Sequence, residues 1–290
     1  MNSPNLVILA GGVSSRMKKS IHEVAGSSVQ HGAGHSAKSM IGLGEEKRPF
    51  LDYLLWNAER AGYRDVVLVV GEHDRSFRER YGNADRGNRF HALEISYAVQ
   101  NIPPGRTKPL GTADALLQAL LLRQDWRGQG CTVCNSDNLY SVTALRRTLE
   151  TGNRCALMDY DRAGLGFAPG RARQFAVLVK DASGILVDIV EKPSPEQVLR
   201  ATGPDGRVGV SMNLWRFSYD VILPFLESAP VHSVRREKEL PVAVGIMIRS
   251  HPGSMTAIPI SEHVPDLTSV HDIGEVEGFL RNHYRGSLWQ

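Results

Sequence analysis

The stretch LVILAGGVSSRM, Leu6 to Met17, decides how the rest of the chain is read. Leu6-Val7-Ile8-Leu9 is a short, wholly apolar, branched run, the pattern of a strand buried on both faces of a parallel sheet. It runs straight into Ala10-Gly11-Gly12, two hydroxyl residues (Ser14 and Ser15) and Arg16. Open α/β sheets build ligand crevices where buried strands end in such turns. Gly11 and Gly12 have no Cβ, so their backbone can lie directly against a ligand. Amides of such a turn cradle phosphate oxygens, and Arg16 adds a fixed charge with a bidentate fork. The loop is neither GxxxxGK[ST] nor GxGxxG, the two common phosphate-binding patterns. A glycine pair after a strand is, by itself, equally compatible with a plain βα turn.

Composition narrows the classes. The 290 residues suffice for one large α/β domain or two small ones. A net charge of +3 with no long basic run argues against nucleic acid as a partner, which needs clustered Lys and Arg. No apolar run approaches the ~20 residues of a membrane span. The first residues lack a charged leader segment, and three cysteines make no disulfide framework, so the expected compartment is the cytoplasm.

Lys18 to Glu46 is rich in Gly, Ser, Ala and His without a visible period, and reads as a long loop. His31 and His35 have helical ligand spacing, but Gly32 and Gly34 oppose the helix they would need; they read as solvated loop histidines. Pro49 to Gly62 is an amphipathic helix, Val66 to Gly71 a buried strand, Asp74 to Tyr81 a charged helix and Leu93 to Val99 a third strand. This alternation predicts a parallel sheet with right-handed crossovers. At the third strand's end, Gln100 carries an amide able to pair with a base edge. Gly111-Thr112-Ala113 then opens a helix whose first free amides suit an anion or a base, an N-capped core helix being the plainer alternative.

Cys131 to Tyr140 reads as a strand ending in Asp137. A carboxylate at the carboxyl end of a central strand is placed to hold Mg²⁺ against a triphosphate. Cys131 and Cys134 should face opposite sides of that strand and read as core thiols rather than metal ligands. Further along, Gln174 to Val179 and Ile185 to Val190 form two strands around a turn and end in Glu191-Lys192-Pro193. Val208 to Phe217 and Met255 to Ile260 are further strands, and a helix over Val270 to Tyr284 closes the pattern.

Four blocks, in this order, resemble the nucleotidyltransferases that make nucleotide sugars. AGGVSSR resembles their L-A-G-G-x-G-[ST]-R loop, with Ser14 at the third glycine, a variant also similar to cytidylyl- and molybdenum-cofactor nucleotidyltransferases. YAVQ…PLGTADAL, SDNLY and the hairpin ending in Glu-Lys-Pro resemble the family's YAVQ…P-x-G-T-A-x-A-[LI], G-D-N-[LIV]-[YF] and E-K-P blocks. The resemblance implies a Rossmann-like, three-layer α/β/α, GT-A-like fold with a mixed, mainly parallel sheet. A nucleotide-binding half over about 1–140, a sugar-phosphate-binding half over about 141–272 and a C-terminal helix over 273–290 would form one domain. It also implies the reaction of an NTP with a sugar-1-phosphate, dependent on Mg²⁺. A homo-oligomer is a further expectation of the resemblance.

Residue by residue, the resemblance places Leu9, Ala10, Gly11, Gly12, Gln100, Gly111 and Thr112 on the nucleotide. Asn138, Ala176, Glu191, Lys192 and Asn213 fall on the sugar phosphate. Arg16, Lys38, Asp137 and Lys192 carry the chemistry, with Asp137 and Asp266 as metal ligands and Asp272 in reserve. Lys38 is separated from Arg16 by about twice the family's usual spacing, leaving Lys18 or Lys19 as alternatives. Two other functions stay open from sequence: nucleotidyl transfer to a non-sugar phosphate, and a catalytically silent binder of nucleotide sugars.

Overall fold

The computed structural model describes residues 4–12, 37–167, 169–172 and 174–284. Its first half comprises β1 (Asn5–Leu9), a short hairpin of β2 (Gly42–Leu43) and β3 (Arg48–Pro49), α1 (Phe50–Ala61) and β4 (Asp65–Gly71). Then come α2 (Ser76–Tyr81), β5 (Asn88–Phe90), β6 (Leu93–Gln100), α3 (Thr112–Leu122) and β7 (Gly130–Asn135). The second half holds α4 (Val142–Leu149), β8 (Cys155–Asp161), α5 (Pro169–Ala172), β9 (Val177–Lys180), β10 (Leu186–Val190) and α6 (Pro195–Ala201). It continues with β11 (Gly209–Ser218), α7 (Tyr219–Glu227), α8 (Leu240–Ser250), β12 (Met255–Ile260) and α9 (Ile273–His283).

Ten of these strands form one mixed sheet in the order β10-β9-β11-β7-β1-β4-β6-β5, with β8 and then β12 joined through β11. Its centre, β7-β1-β4-β6, is parallel, whereas β11 runs antiparallel to β7, β8 and β9. Alternation along each central strand feeds two separate cores. Leu6, Ile8, Val66, Leu68 and Val70 face α1, α4 and α9; Val7, Val67, Val69 and Val133 face α3, α7 and α8. The outcome is the expected three-layer α/β/α arrangement with a parallel centre. Cys131 and Cys134 enter opposite cores, and all three cysteines are free and buried.

Register brings the functional ends together. Leu9 pairs with both Val69 and Asn135, and Gly71 with Gln100, so the four parallel strands end side by side. The Gly11 turn, the Gln100 loop and the Ser136-Asp137-Asn138 turn all leave the sheet at that rim. β11 supplies the opposite wall through a bend. Its register on β8 shifts between Ser211 and Trp215, where Asn213 takes φ +59°. Asn tolerates the left-handed region better than most residues, and a bulge there turns the strand. Buried Tyr140 fixes the bend by donating its hydroxyl to the Met212 carbonyl at 2.7 Å.

One local difference concerns Pro49. The helix begins at Phe50, and Pro49, extended at φ −48°, ψ 137°, closes β3 and caps α1 from outside. A proline shapes the residues around it as strongly as the helix it precedes.

Candidate active site

Two adjoining cavities open at the sheet rim. The smaller, about 360 Å³, is lined by Ala10, Gly11, Gly12, Lys38, Gln100 and Gly111, among others. The larger, about 680 Å³, is lined by Asn138, Ala176, Glu191, Asn213 and Asp266, with Arg171 and Arg235. Leu9, Thr112, Asn135, Asp137 and Glu237 face both, so Asp137 stands at the junction. The sequence-assigned nucleotide residues thus fall in one cavity and most sugar-side residues in the other.

Lys38 reaches this junction. Its ammonium lies 2.5 Å from Asp137 Oδ2, both side chains being largely shielded from solvent. The placement comes from local structure. The Ala37 amide donates to Asp74 Oδ2 at 3.2 Å, a 3₁₀ turn spans Lys38–Met40, and the Phe50 amide returns to the Ile41 carbonyl at 3.0 Å. Arg16, Lys18, Lys19, His31 and His35 lie outside the described residues.

The smaller cavity has a braced wall. Gln100 is buried, and its amide nitrogen donates to the Gly111 carbonyl and to Asp114 Oδ2, each at 2.8 Å. Both donor hydrogens are thereby committed to holding α3. Only the carbonyl oxygen is turned toward Gly11, where an added Cβ would come within 3.2 Å of it. The sequence reading of Gln100 as a base-pairing amide becomes, in this geometry, a residue that shapes the cavity wall. Gly111 has φ +105°, and a Cβ there would lie 2.7 Å from the Lys238 carbonyl oxygen. The two segments are laced by Ala113 donating to Lys238 O, Lys238 donating to Leu110 O, and the Leu240 amide donating to Thr112 Oγ1 at 2.9 Å. Thr112 therefore acts first as a brace between α3 and α8.

Asp266 is brought beside Asp137 by main-chain pairing. Asn138 bridges antiparallel to Asp266, and the Leu267 amide donates to the Asp137 carbonyl at 2.8 Å. The two carboxylates feel each other. Burial, and then the charge of Asp137, raise the Asp266 carboxyl above its ordinary range, against the lowering pull of Arg171 and Thr268. Asp272, the reserve candidate, instead accepts the Thr268 and Ser269 amides at 3.0 and 2.6 Å and organises the loop. Two acidic oxygen donors on paired segments suit a hard divalent cation, and Lys38 already stands as a cation on one of them. No group of three or more His, Cys, Asp or Glu side chains forms a metal cluster among the described residues. Substrate oxygens and water would complete the coordination.

On the sugar side, partial desolvation raises the Glu191 carboxyl, with Arg235 opposing. Lys192 is exposed with φ +48° and is not among the described residues lining either cavity. Sequence reasoning missed the cations that do line the larger one. Arg235, paired with Glu239 at 2.6 Å, comes from a charge run with no periodic signal. Arg171 lies in α5, a single helical turn in a Gly/Ala/Pro-rich stretch before β9, and only its position as a charge amid small residues could have flagged it.

The fold is thus a mixed α/β sheet with paired carboxylates at its rim, where two cavities meet. The nucleotidyl transferase family model matches residues 33–264, and the chain belongs to that family. The match begins beyond the Gly11-Gly12 turn. The chain is 25% identical to a D-glycero-α-D-manno-heptose 1-phosphate guanylyltransferase of Aneurinibacillus thermoaerophilus, over half of each chain. It is 23% identical to the bifunctional protein GlmU of Staphylococcus epidermidis, over 92% of this chain and 49% of that one. With GlmU of Symbiobacterium thermophilum the identity is 28%, over 68% of this chain and 35% of the relative. The chain thus spans about half the length, or less, of these curated relatives. Among the described residues, no helix is long and apolar enough to cross a membrane.

Proposed function

We propose that the protein transfers a nucleotidyl group from an NTP to a sugar-1-phosphate, giving an NDP-sugar and pyrophosphate. The observation that carries this reading is the Lys38–Asp137 pair at the junction of two cavities that hold the two sets of motif residues. The name of one relative describes guanylyl transfer to a heptose 1-phosphate, a reaction of this class.

In the proposed reaction a phosphate oxygen of the acceptor forms a bond to the α-phosphorus while the bond from that phosphorus to the β-phosphate oxygen breaks. The attacking phosphate is already anionic, so positioning and charge carry the catalysis and no side-chain nucleophile is needed. Gly11, Gly12 and the wall formed by Gln100, Gly111 and Thr112 hold the nucleotide. Lys38 and Arg16 neutralise the departing pyrophosphate. Glu191, Asn213, Asn138 and the small Ala176 enclose the sugar, and Lys192, swinging inward, holds its phosphate together with Arg235. Mg²⁺ held by Asp137 and Asp266 would supply charge neutralisation at the α-phosphate. The compartment is proposed to be the cytoplasm, and association into a homo-oligomer follows the same resemblance.

The test is pyrophosphate release with Mg²⁺ across a grid of NTPs and sugar-1-phosphates. One strong combination names base and sugar together. A blank grid, with nucleotide sugars still raising the melting temperature, overturns transfer to a sugar-1-phosphate and leaves a binding protein or a nucleotidyltransferase with a non-sugar acceptor.

A further inference from the structure

Arg171, in the one-turn helix α5, is held by two carboxylates and an aromatic ring. Its Nη1 lies 2.5 Å from Asp272 Oδ1 and its Nη2 lies 2.8 Å from Asp266 Oδ2. The same Nη2 also approaches the Asp266 carbonyl at 3.3 Å, and the guanidinium lies 4.5 Å over the Phe167 ring. Both oxygens of Asp266 are engaged in turn, the second accepting the Thr268 hydroxyl at 2.8 Å. With Lys38 on Asp137, each carboxylate proposed to hold Mg²⁺ already carries a cation of the protein.

We infer that Arg171 is a counter-ion lock on Asp266, competing for the carboxylate that a divalent cation would share with Asp137. This rests on the metal reading given under Proposed function. The lock is releasable because the guanidinium is shared. If Asp266 turns toward Asp137, Arg171 keeps Asp272 and the Phe167 face, so the exchange breaks one ion pair rather than two. The pair is only partly exposed, with 26% of Arg171 and 12% of Asp266 side-chain surface open to solvent, so it competes more strongly than a surface pair. The freed guanidinium edge would still face the larger cavity, where an anionic acceptor can take the place of Asp266. Arg171 is thus a positioning residue, acting on the metal site through Asp266.

The experiment measures Mn²⁺ binding to the full chain without nucleotide, by the paramagnetic resonance signal of free Mn²⁺. Arg171→Gln should tighten binding about tenfold, the scale on which residues behind a metal ligand tune affinity. Arg171→Lys, which keeps the charge, should stay near wild type. Asp266→Asn alone should weaken binding, as befits a proposed ligand, and in that background Arg171→Gln should give no gain. A purely structural arginine would give no tightening. Unchanged or weaker binding in Arg171→Gln overturns the lock. So does a gain of equal size when Arg171→Gln is combined with Asp266→Asn; Arg171→Met, judged by the same two comparisons, serves where Arg171→Gln fails to fold. Mn²⁺ binding that is absent from every variant, or that survives Asp137→Asn, refutes the metal reading itself and the lock with it.

Discussion

Gly111→Ala probes the wall of the smaller cavity at its most constrained point. The residue has φ +105° and ψ −173°, a region that costs a residue bearing a Cβ about 1–3 kcal/mol. The new methyl would also sit 2.7 Å from the Lys238 carbonyl oxygen and 2.9 Å from Glu237 Cβ, contacts that backbone cannot relieve without moving. Displacing the 237–240 segment breaks its pairing with residues 110–113, at about 1 kcal/mol per hydrogen bond lost. With the two main-chain bonds lost, the combined cost is roughly 3–5 kcal/mol, a large part of a typical domain's stability. Gly105→Ala is the control, since Gly105 also has positive φ (+78°) but no atom within 4 Å of its built Cβ, so only about 1 kcal/mol is expected. Urea unfolding measures both costs, and the NTP KM, rising in Gly111→Ala alone, reports the displaced wall. If Gly111→Ala were no more destabilising than Gly105→Ala, the proposed bracing of this loop would be refuted.

Three further perturbations follow from the same structure. Lys38→Met should lower kcat by about two orders of magnitude, the usual loss when a preorganised charge leaves a site, while the melting temperature stays near wild type. Asn213→Gly should be tolerated, whereas Asn213→Val, forcing a β-branched residue to φ +59°, should cost roughly 1–2 kcal/mol in chemical denaturation and raise the acceptor KM. Glu262 titrates above its ordinary range, chiefly through burial, and its Oε1 lacks a partner among the described residues. A carboxyl raised in the folded state lowers stability once pH exceeds its normal pKa, and the loss is complete above the folded-state pKa. Glu262→Gln should therefore raise Tm at neutral pH and lose that advantage as pH falls below the normal carboxylate range. A pH-independent difference would contradict this origin.

The legibility of the chain follows the range of the interactions involved. The central strands were readable because Leu6–Leu9 and Val66–Val70 are apolar on both faces and Cys131–Cys134 nearly so, Thr132 being the exception, a local signal. Asp137 and the Gly111 turn were readable because each is fixed by its own strand or helix end. Lys38 reached the site across a long segment that no local period describes; what places it is contact with Asp74, far away in sequence. What the amide of Gln100 holds could not be read from its own strand, since its partners, Gly111 and Asp114, come from the next element. Arg171 and its two carboxylates span residues 171 to 272, and a lone arginine in a one-turn helix carries no mark of such partners.

Pyrophosphate release by Asp137→Asn, with the NTP and acceptor that serve the wild type best, tests the central claim most directly. Asn keeps the shape of the side chain and the main-chain pairing with Leu267, but removes the charge that Lys38 faces. Turnover should fall by at least about a thousandfold with an unaltered circular-dichroism melt. Activity within a few fold of wild type would take Asp137 out of the reaction, and the junction of the two cavities would no longer be the catalytic centre.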